Sequence, residues 1–252
     1  MHIRELKQLK TKKGRNESGL FIIEGEKFIN EIPISWRIEK YVLAKRFVAG
    51  RDLSTYINRA PVEVVHDSQF DKLADTVSPQ GIMAICHKQN CQIDQLLTTV
   101  GFLLAGECLN DPGNIGTLIR TAAAAGAKGV ILTQDSCDIY NPKVIRASAG
   151  ATLRLPIVTD ITLNVAIDKL KHAKYAIYAA HPRGDTLPYS LNLNNNFCLL
   201  VGNESHGLTP EASALADAWV RLPMANDMES LNASIAGSIL MYEALRQRGH
   251  YI

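Results

Sequence analysis

The feature that most constrains this chain is a series of short, unbroken apolar runs, each closed by glycine or polar residues and followed by helix-type sequence. Gly101-Phe102-Leu103-Leu104-Ala105, Gly129-Val130-Ile131-Leu132, Tyr175-Ala176-Ile177-Tyr178-Ala179 and Phe197-Cys198-Leu199-Leu200-Val201 lack the apolar-polar alternation of a strand with one wet face. Strands covered on both faces read this way, and they belong to parallel sheets flanked by helices. Helical patterns are expected over 115–126, with Asn114 as cap, and over 163–172, 210–215 and 231–248. The alternation predicts an α/β fold with a mostly parallel sheet.

A smaller α/β unit precedes it. Strands are expected over 20–24, 40–44, 61–65 and 81–86, with helices over 26–31 and 68–74, the latter capped by Ser68. From His87 to Asp94 the sequence is polar and aperiodic. The expected organisation is therefore a domain over 1–90, a linker over 91–99 and a second domain over 100–252, within the range that this length allows.

Open α/β sheets bind ligands beyond the carboxyl ends of their strands. Three polar segments, the first two glycine-bearing, fall where such ends are expected: Asn110-Asp111-Pro112-Gly113-Asn114-Ile115-Gly116, Gly202-Asn203-Glu204-Ser205-His206-Gly207-Leu208, and Leu222-Pro223-Met224 with Glu229-Ser230-Leu231-Asn232-Ala233-Ser234. Asn114, Ser230 and Asn232 fit helix capping, which does not exclude ligand binding at the same N–H groups. Arg120 can grip a phosphate with a forked pair of hydrogen bonds or can be an ordinary surface arginine. Gly202 allows close backbone approach to a ligand. Glu204 suits a base, a cation partner or an acceptor. His206 titrates near neutrality, yet a lone histidine is more often without a catalytic role.

The closing helix carries Leu231, Ile235, Ile239, Tyr242 and Leu245 at helical spacing, which reads first as a core face. Its small residues Ala233, Ala236, Gly237 and Ser238 suit close approach of another backbone, including an oligomer contact.

Composition narrows the function classes. Charged residues at 21%, hydrophobics at 46% and a net charge of +2 describe an ordinary globular protein. The first fifteen residues hold Arg4, Lys7, Lys10, Lys12, Lys13 and Arg15 against Glu5 alone, a basic arm that fits either phosphates or solvent. Five scattered cysteines contain no CxxC pair, so no metal site is expected. Neither a signal-type opening nor a bilayer-length apolar run is present, so a soluble, cytoplasmic protein without membrane partners is expected. The absence of GxGxxG and GxxxxGK[ST] removes the familiar dinucleotide and P-loop readings.

In this order and spacing, Asn114-Ile115-Gly116-Thr117-Leu118-Ile119-Arg120, Val201-Gly202-Asn203-Glu204 with Gly207-Leu208, and Leu222-Pro223-Met224 with Glu229-Ser230-Leu231-Asn232-Ala233-Ser234 resemble the three motifs of the SpoU (TrmH-like) RNA ribose methyltransferases of the SPOUT class. Residues 1–90, through Phe21-Ile22-Ile23-Glu24-Gly25, resemble the L30e-like substrate-binding domain often fused to them. One departure stands in the third motif, where Asn226-Asp227 replaces the glycine that members often carry.

The resemblance implies a C-terminal trefoil knot, S-adenosyl-L-methionine as cofactor and a homodimer. It implies cofactor binding around Val201, Gly202, Leu222, Met224 and Leu231. It implies 2′-O-methylation assisted by Arg120, Glu204, Ser230, Asn232 and Asn114, with Lys7, Lys10, Lys12, Lys13 and Arg15 on RNA. The expected substrate is ribosomal RNA of the 23S type. The alternatives are a tRNA ribose methyltransferase and a non-catalytic RNA-binding assembly factor.

Overall fold

The computed structural model describes residues 3–98, 100–226 and 228–249. The chain packs as two units, residues 1–89 with 140–154, and residues 90–139 with 155–252.

The first unit is built on a four-stranded sheet of β1 (Leu20–Glu24), β2 (Ile38–Ala44), β3 (Val62–Val65) and β4 (Ile82–His87), in the order β1-β4-β2-β3. β4 runs antiparallel to β1 and β2, and β3 is parallel to β2. The expected basic arm is folded, with short helical turns over Ile3–Leu6 and Lys7–Lys10 followed by α1 (Lys12–Ser18). Leu6 and Leu9 anchor it in a core cluster with Val42, Phe70 and Ile85. The Thr11 side chain caps α1 by accepting from Gly14 N–H at 3.1 Å. Ser68 is not a cap, because the Asp67–Leu73 helix starts one residue earlier, where His66 and Gln69 form a reciprocal capping box.

A segment distant in sequence completes this unit. Tyr140–Arg154 contains the Pro142–Ala147 helix, which places Val144 and Ile145 in the interior. Tyr140 packs on Phe21 with ring centroids 4.4 Å apart, and Arg146 pairs with Asp75 at 2.7 Å. Sequence periodicity gave no sign of this excursion, because six helical residues span less than two turns.

The second unit holds a six-stranded, wholly parallel sheet in the order β10-β8-β9-β5-β6-β7. Its strands are β5 (Phe102–Gly106), β6 (Gly129–Thr133), β7 (Ile157–Ile161), β8 (Ala176–Ala180), β9 (Phe197–Val201) and β10 (Ala218–Val220). The four strands expected from apolar runs, β5, β6, β8 and β9, are all present. β7 and β10 are edge strands with polar or short sequences, and edge strands carry little apolar signal. Within 91–99, expected as linker, Ile93–Leu96 forms a helical turn with both end residues in this unit's core. Residue 99 lies outside the described residues.

Two helices set the site. α2 (Pro112–Ala124) follows β5, and α3 (Ala233–Gln247) packs against it and against β9. The faces of α3 are the reverse of the simplest expectation. Ser234, Gly237, Leu240, Met241 and Ala244 point inward, while Leu231, just before the helix, and Ile235, Ile239 and Tyr242 on it are exposed. Gly237 permits the approach to α2, since a Cβ there would lie 2.7 Å from Leu118 Cδ2. Among the described residues no helix is long and apolar enough to cross a membrane.

Candidate functional site

β5 and β9 are neighbours, although β6, β7 and β8 intervene in sequence. Successive connections diverge here, leaving a crevice beyond the strand ends where α/β sheets hold ligands. The loops after β5 and β9 meet in it.

Glu204 sits at the centre. Its carboxylate accepts from Asn110 N–H at 3.3 Å, Asp111 N–H at 3.1 Å and Asn114 Nδ2 at 3.2 Å. Asn114 Oδ1 in turn accepts from Asn232 Nδ2 at 3.1 Å. Asn232 Oδ1 caps α3, accepting from Ser234 N–H at 2.8 Å, Ile235 N–H at 3.3 Å and Ser234 Oγ at 2.7 Å. The structure thus joins Asn114, Glu204 and Asn232 in one hydrogen-bonded chain. Asn114 is not the cap of α2. Asp111 caps it, accepting from Asn114 N–H at 2.8 Å, because Pro112 takes the first helical position, where its missing N–H costs nothing. The Asn114 side chain is thereby left for the network.

Beside this chain lies a cavity of about 360 Å³, within the usual range for small-molecule sites. Val201, Gly202, Leu222, Met224 and Leu231, the residues expected at the cofactor, all line it, and so does Ser230. Gly202 has no room for a side chain, since a Cβ would lie 2.3 Å from Gly207 C and Leu208 N. A more open cavity adjoins it, lined by Asn110, Asp111, Asn114 and Asn232, and Asn203 and Glu204 border both. Asn226 adopts φ +56°, a left-handed conformation that asparagine tolerates better than most residues, so it supplies here what glycine would. Asp227 lies outside the described residues.

Arg120 is exposed on α2 and lines neither cavity of its own chain. The next residue, Thr121, accepts from Ser238 Oγ of α3 at 3.0 Å. Arg120 thus directly precedes the residue whose side chain joins α2 to α3.

Sequence reasoning missed one wall. His181, Pro182 and Arg183, just after β8, line the smaller cavity. His181 Nδ1 accepts from Arg183 N–H at 3.1 Å, and the imidazole lies on Trp219 with centroids 4.3 Å apart. Burial, and then the charge of Arg183, hold the His181 pKa below its ordinary value. The signal was the one used elsewhere, a polar and glycine-containing turn, His181-Pro182-Arg183-Gly184, directly after an apolar run.

On the first unit, Lys7, Lys12 and Lys13 are exposed, and Lys13 faces Glu17 at 3.7 Å. Lys10 donates to the Ala74 carbonyl at 2.9 Å. Arg15 does not belong with them. It is buried, and its guanidinium donates to the Leu9 carbonyl at 2.9 Å, satisfying a helix-end acceptor in the interior.

Residues 102–242 match the SpoU rRNA Methylase family and residues 1–84 match the MRM3-like substrate binding domain. The chain is 32% identical to the 23S rRNA (guanosine(2553)-2′-O)-methyltransferase RlmP of Bacillus subtilis, over 95% of this chain and 94% of that protein. It is 36% identical to the 23S rRNA (guanosine-2′-O-)-methyltransferase RlmB of Xylella fastidiosa, over 78% of this chain and 83% of that protein. The crystal structure of the SpoU methyltransferase AviRb from Streptomyces viridochromogenes, in complex with the cofactor AdoMet, superimposes with a TM-score of 0.88 at 25% identity, covering 99% of this chain and 98% of that one. By its sequence and its fold, this chain belongs to the SpoU rRNA methylase family.

Proposed function

We propose that this protein is an S-adenosylmethionine-dependent methyltransferase that modifies a ribose 2′-hydroxyl of 23S ribosomal RNA. The observation that carries this reading is the sharing of Asn203 and Glu204 between a cofactor-sized cavity and an open polar cavity. A donor and an acceptor bound in the two would face each other across one short wall. The names of the similar proteins, RlmP and RlmB, support ribosomal RNA as the substrate.

The chemistry of the smaller cavity fits S-adenosylmethionine. Val201, Leu222 and Leu231 offer apolar surface to a purine, and the glycine-bearing backbone of 202–208 offers N–H and carbonyl groups to its polar edges. When bound, S-adenosylmethionine supplies an electrophilic methyl group on a sulfonium sulfur. The protein's part is then to orient the ribose and to stabilise charge on its oxygen. Arg120 supplies the opposite charge and grips the neighbouring phosphate. A guanidinium stays protonated, so it stabilises the alkoxide without acting as the base, and the 2′-hydroxyl proton passes to a phosphate oxygen of the RNA itself. Glu204, committed to its three donors, holds Asn114 and the loop after β5. Ser230 and Asn232 fix the ribose.

The protein works as a homodimer through the exposed face around α3. Leu231 (37% exposed), Ile235 (50%), Ile239 (44%) and Tyr242 (52%) recur every three or four residues, and an apolar stripe of this kind marks an interaction surface. Arg120 lines neither cavity of its own chain, so a second copy is the route by which it reaches a target ribose. A C-terminal trefoil knot is part of this reading on the strength of the family match and the AviRb superposition. Exposed Lys7, Lys12 and Lys13 of the substrate-binding unit contact RNA phosphates, and the protein resides in the cytoplasm.

Transfer of labelled methyl from S-adenosylmethionine to unmodified 23S rRNA tests the proposal. Cofactor binding without transfer to any RNA or ribosomal particle would favour a non-catalytic RNA-binding factor.

A further inference from the structure

We infer that Asn203 is a positioning residue for methyl transfer, acting through the Cys108 carbonyl to hold the pocket of backbone N–H groups that grips Glu204. This inference rests on the methyltransferase reading above.

Cys108 has a φ of +50°, a left-handed backbone that residues with a Cβ adopt rarely. Its peptide groups are held from both sides. The Cys108 N–H donates to Thr133 Oγ1 at 2.9 Å, and the Cys108 carbonyl accepts from Asn203 Nδ2 at 2.7 Å. Immediately downstream, the N–H groups of Asn110 and Asp111 converge on the Glu204 carboxylate. Convergent N–H groups beside a left-handed residue form a concavity for an anion. In this protein the anion is its own Glu204 side chain.

The other half of the Asn203 carboxamide faces its own loop. Oδ1 accepts from Ser205 N–H at 2.9 Å and His206 N–H at 3.2 Å, while the Asn203 backbone pairs with Gly207 at 3.0 and 2.9 Å. One side chain therefore donates to the loop after β5 and accepts from the loop after β9. A carboxamide carries its donor and its acceptor on separate atoms, so one short side chain can face both loops at once. Aspartate would set an oxygen against the Cys108 carbonyl, and serine would not span the gap. Loss of this grip frees both loops that place Glu204, and through Glu204 it loosens Asn114 and Asn232.

The test uses the full-length protein as wild type, Asn203→Ala, Asn203→Asp, Cys108→Gly and the Asn203→Ala/Cys108→Gly double variant. Steady-state methyl transfer to 23S rRNA, cofactor affinity and thermal midpoint are measured for each. Asn203→Ala is expected to lower kcat by roughly tenfold, with a much smaller change in KM for RNA. Asn203→Asp is expected to be at least as impaired. The loss caused by Asn203→Ala should shrink in the Cys108→Gly background, because glycine holds a positive φ unaided. A kcat within about twofold of wild type for Asn203→Ala would overturn the inference, being less than one net hydrogen bond is worth. So would an equal loss in both backgrounds that simply follows the thermal midpoint. An active wild type with an unimpaired Asn203→Ala removes this inference alone, whereas a wild type that transfers no methyl removes the methyltransferase reading with it.

Discussion

The carboxamides of Asn114 and Asn232, 118 residues apart in sequence, meet at 3.1 Å and tie the first turn of α2 to the cap of α3. Asn232 does two things at once, bridging with its nitrogen and capping with its oxygen. The two are separable. Asn232→Asp keeps the capping oxygen and loses the bridging donor, whereas Asn232→Ala loses both. Urea unfolding should show Asn232→Ala destabilised by about 1–2 kcal/mol and Asn232→Asp by clearly less. Equal destabilisation would mean that capping contributes little.

Arg120→Ala should reduce methyl transfer by about 10²-fold or more, the scale of losing a preorganised charge at a developing oxyanion. Cofactor affinity, measured separately by calorimetry, should stay within about twofold, less than the worth of one hydrogen bond, because Arg120 lines neither cavity of its own chain. Arg120→Lys should retain part of the rate, since charge survives without the planar fork. Normal turnover in Arg120→Ala would remove its assigned role.

Charge placed on the exposed face of α3 should separate the proposed dimer. Ile235→Glu and Ile239→Glu each bury a charge in an apolar contact, and sedimentation should shift toward the monomer without loss of helix content. If Arg120 serves the partner's cavity, mixing Arg120→Ala with a Gly202→Val protein should restore activity through heterodimers. Gly202→Val alone should be inactive, because any Cβ there collides with Gly207 and Leu208.

His181 gives a pH signature. Its pKa is lowered by burial and by Arg183, so the unfolded chain takes up the proton first as pH falls. The contribution of neutral His181 to stability is complete above its ordinary value of 6.5 and is lost as pH falls through the lower, folded value. A proton NMR titration should place its midpoint below 6.5, and Trp219→Ala, which uncovers the ring, should move it back upward. A midpoint at or above 6.5 in the wild type would contradict the burial argument.

The basic N-terminal helices divide into two kinds of residue. Lys7→Glu and Lys13→Glu should weaken RNA binding and flatten its dependence on salt, with the thermal midpoint preserved. Arg15→Ala should lower the midpoint by removing a buried donor from the Leu9 carbonyl, with about 1–3 kcal/mol at stake. Filter binding across a salt series and thermal unfolding distinguish the two classes.

Much of the second unit was legible from residue pattern. The strand at Phe197–Val201 and the helix at Leu163–His172 fall where apolar continuity and helical spacing put them. What periodicity does not carry is what covers a face. The row from Leu231 to Tyr242 has the spacing of a core face and is exposed, because Gly237 and Ser234 bring α3 onto α2 by its small side. Asn114 and Ser68 looked like caps because both types cap helices, yet Asp111 with Pro112, and His66 with Gln69, win those positions. The three polar loops were visible as breaks after apolar runs. The bonds from Glu204 to Asn114 and from Asn114 to Asn232 depend on strand order, which single-chain spacing does not encode. The same holds for Tyr140–Arg154, whose partners Phe21 and Asp75 lie in the other half of the sequence.

Ribose methylation of ribosomal RNA is tested directly by one assay. Unmodified 23S rRNA and unmodified tRNA are incubated side by side with the protein and S-adenosylmethionine labelled in its methyl group, then hydrolysed in alkali. A methylated 2′-oxygen cannot attack its neighbouring phosphate, so label on ribose survives in a dinucleotide. Alkali-resistant dinucleotide label from 23S rRNA is the expected result. Label confined to tRNA, or released from rRNA in mononucleotides as base methylation would be, would contradict it.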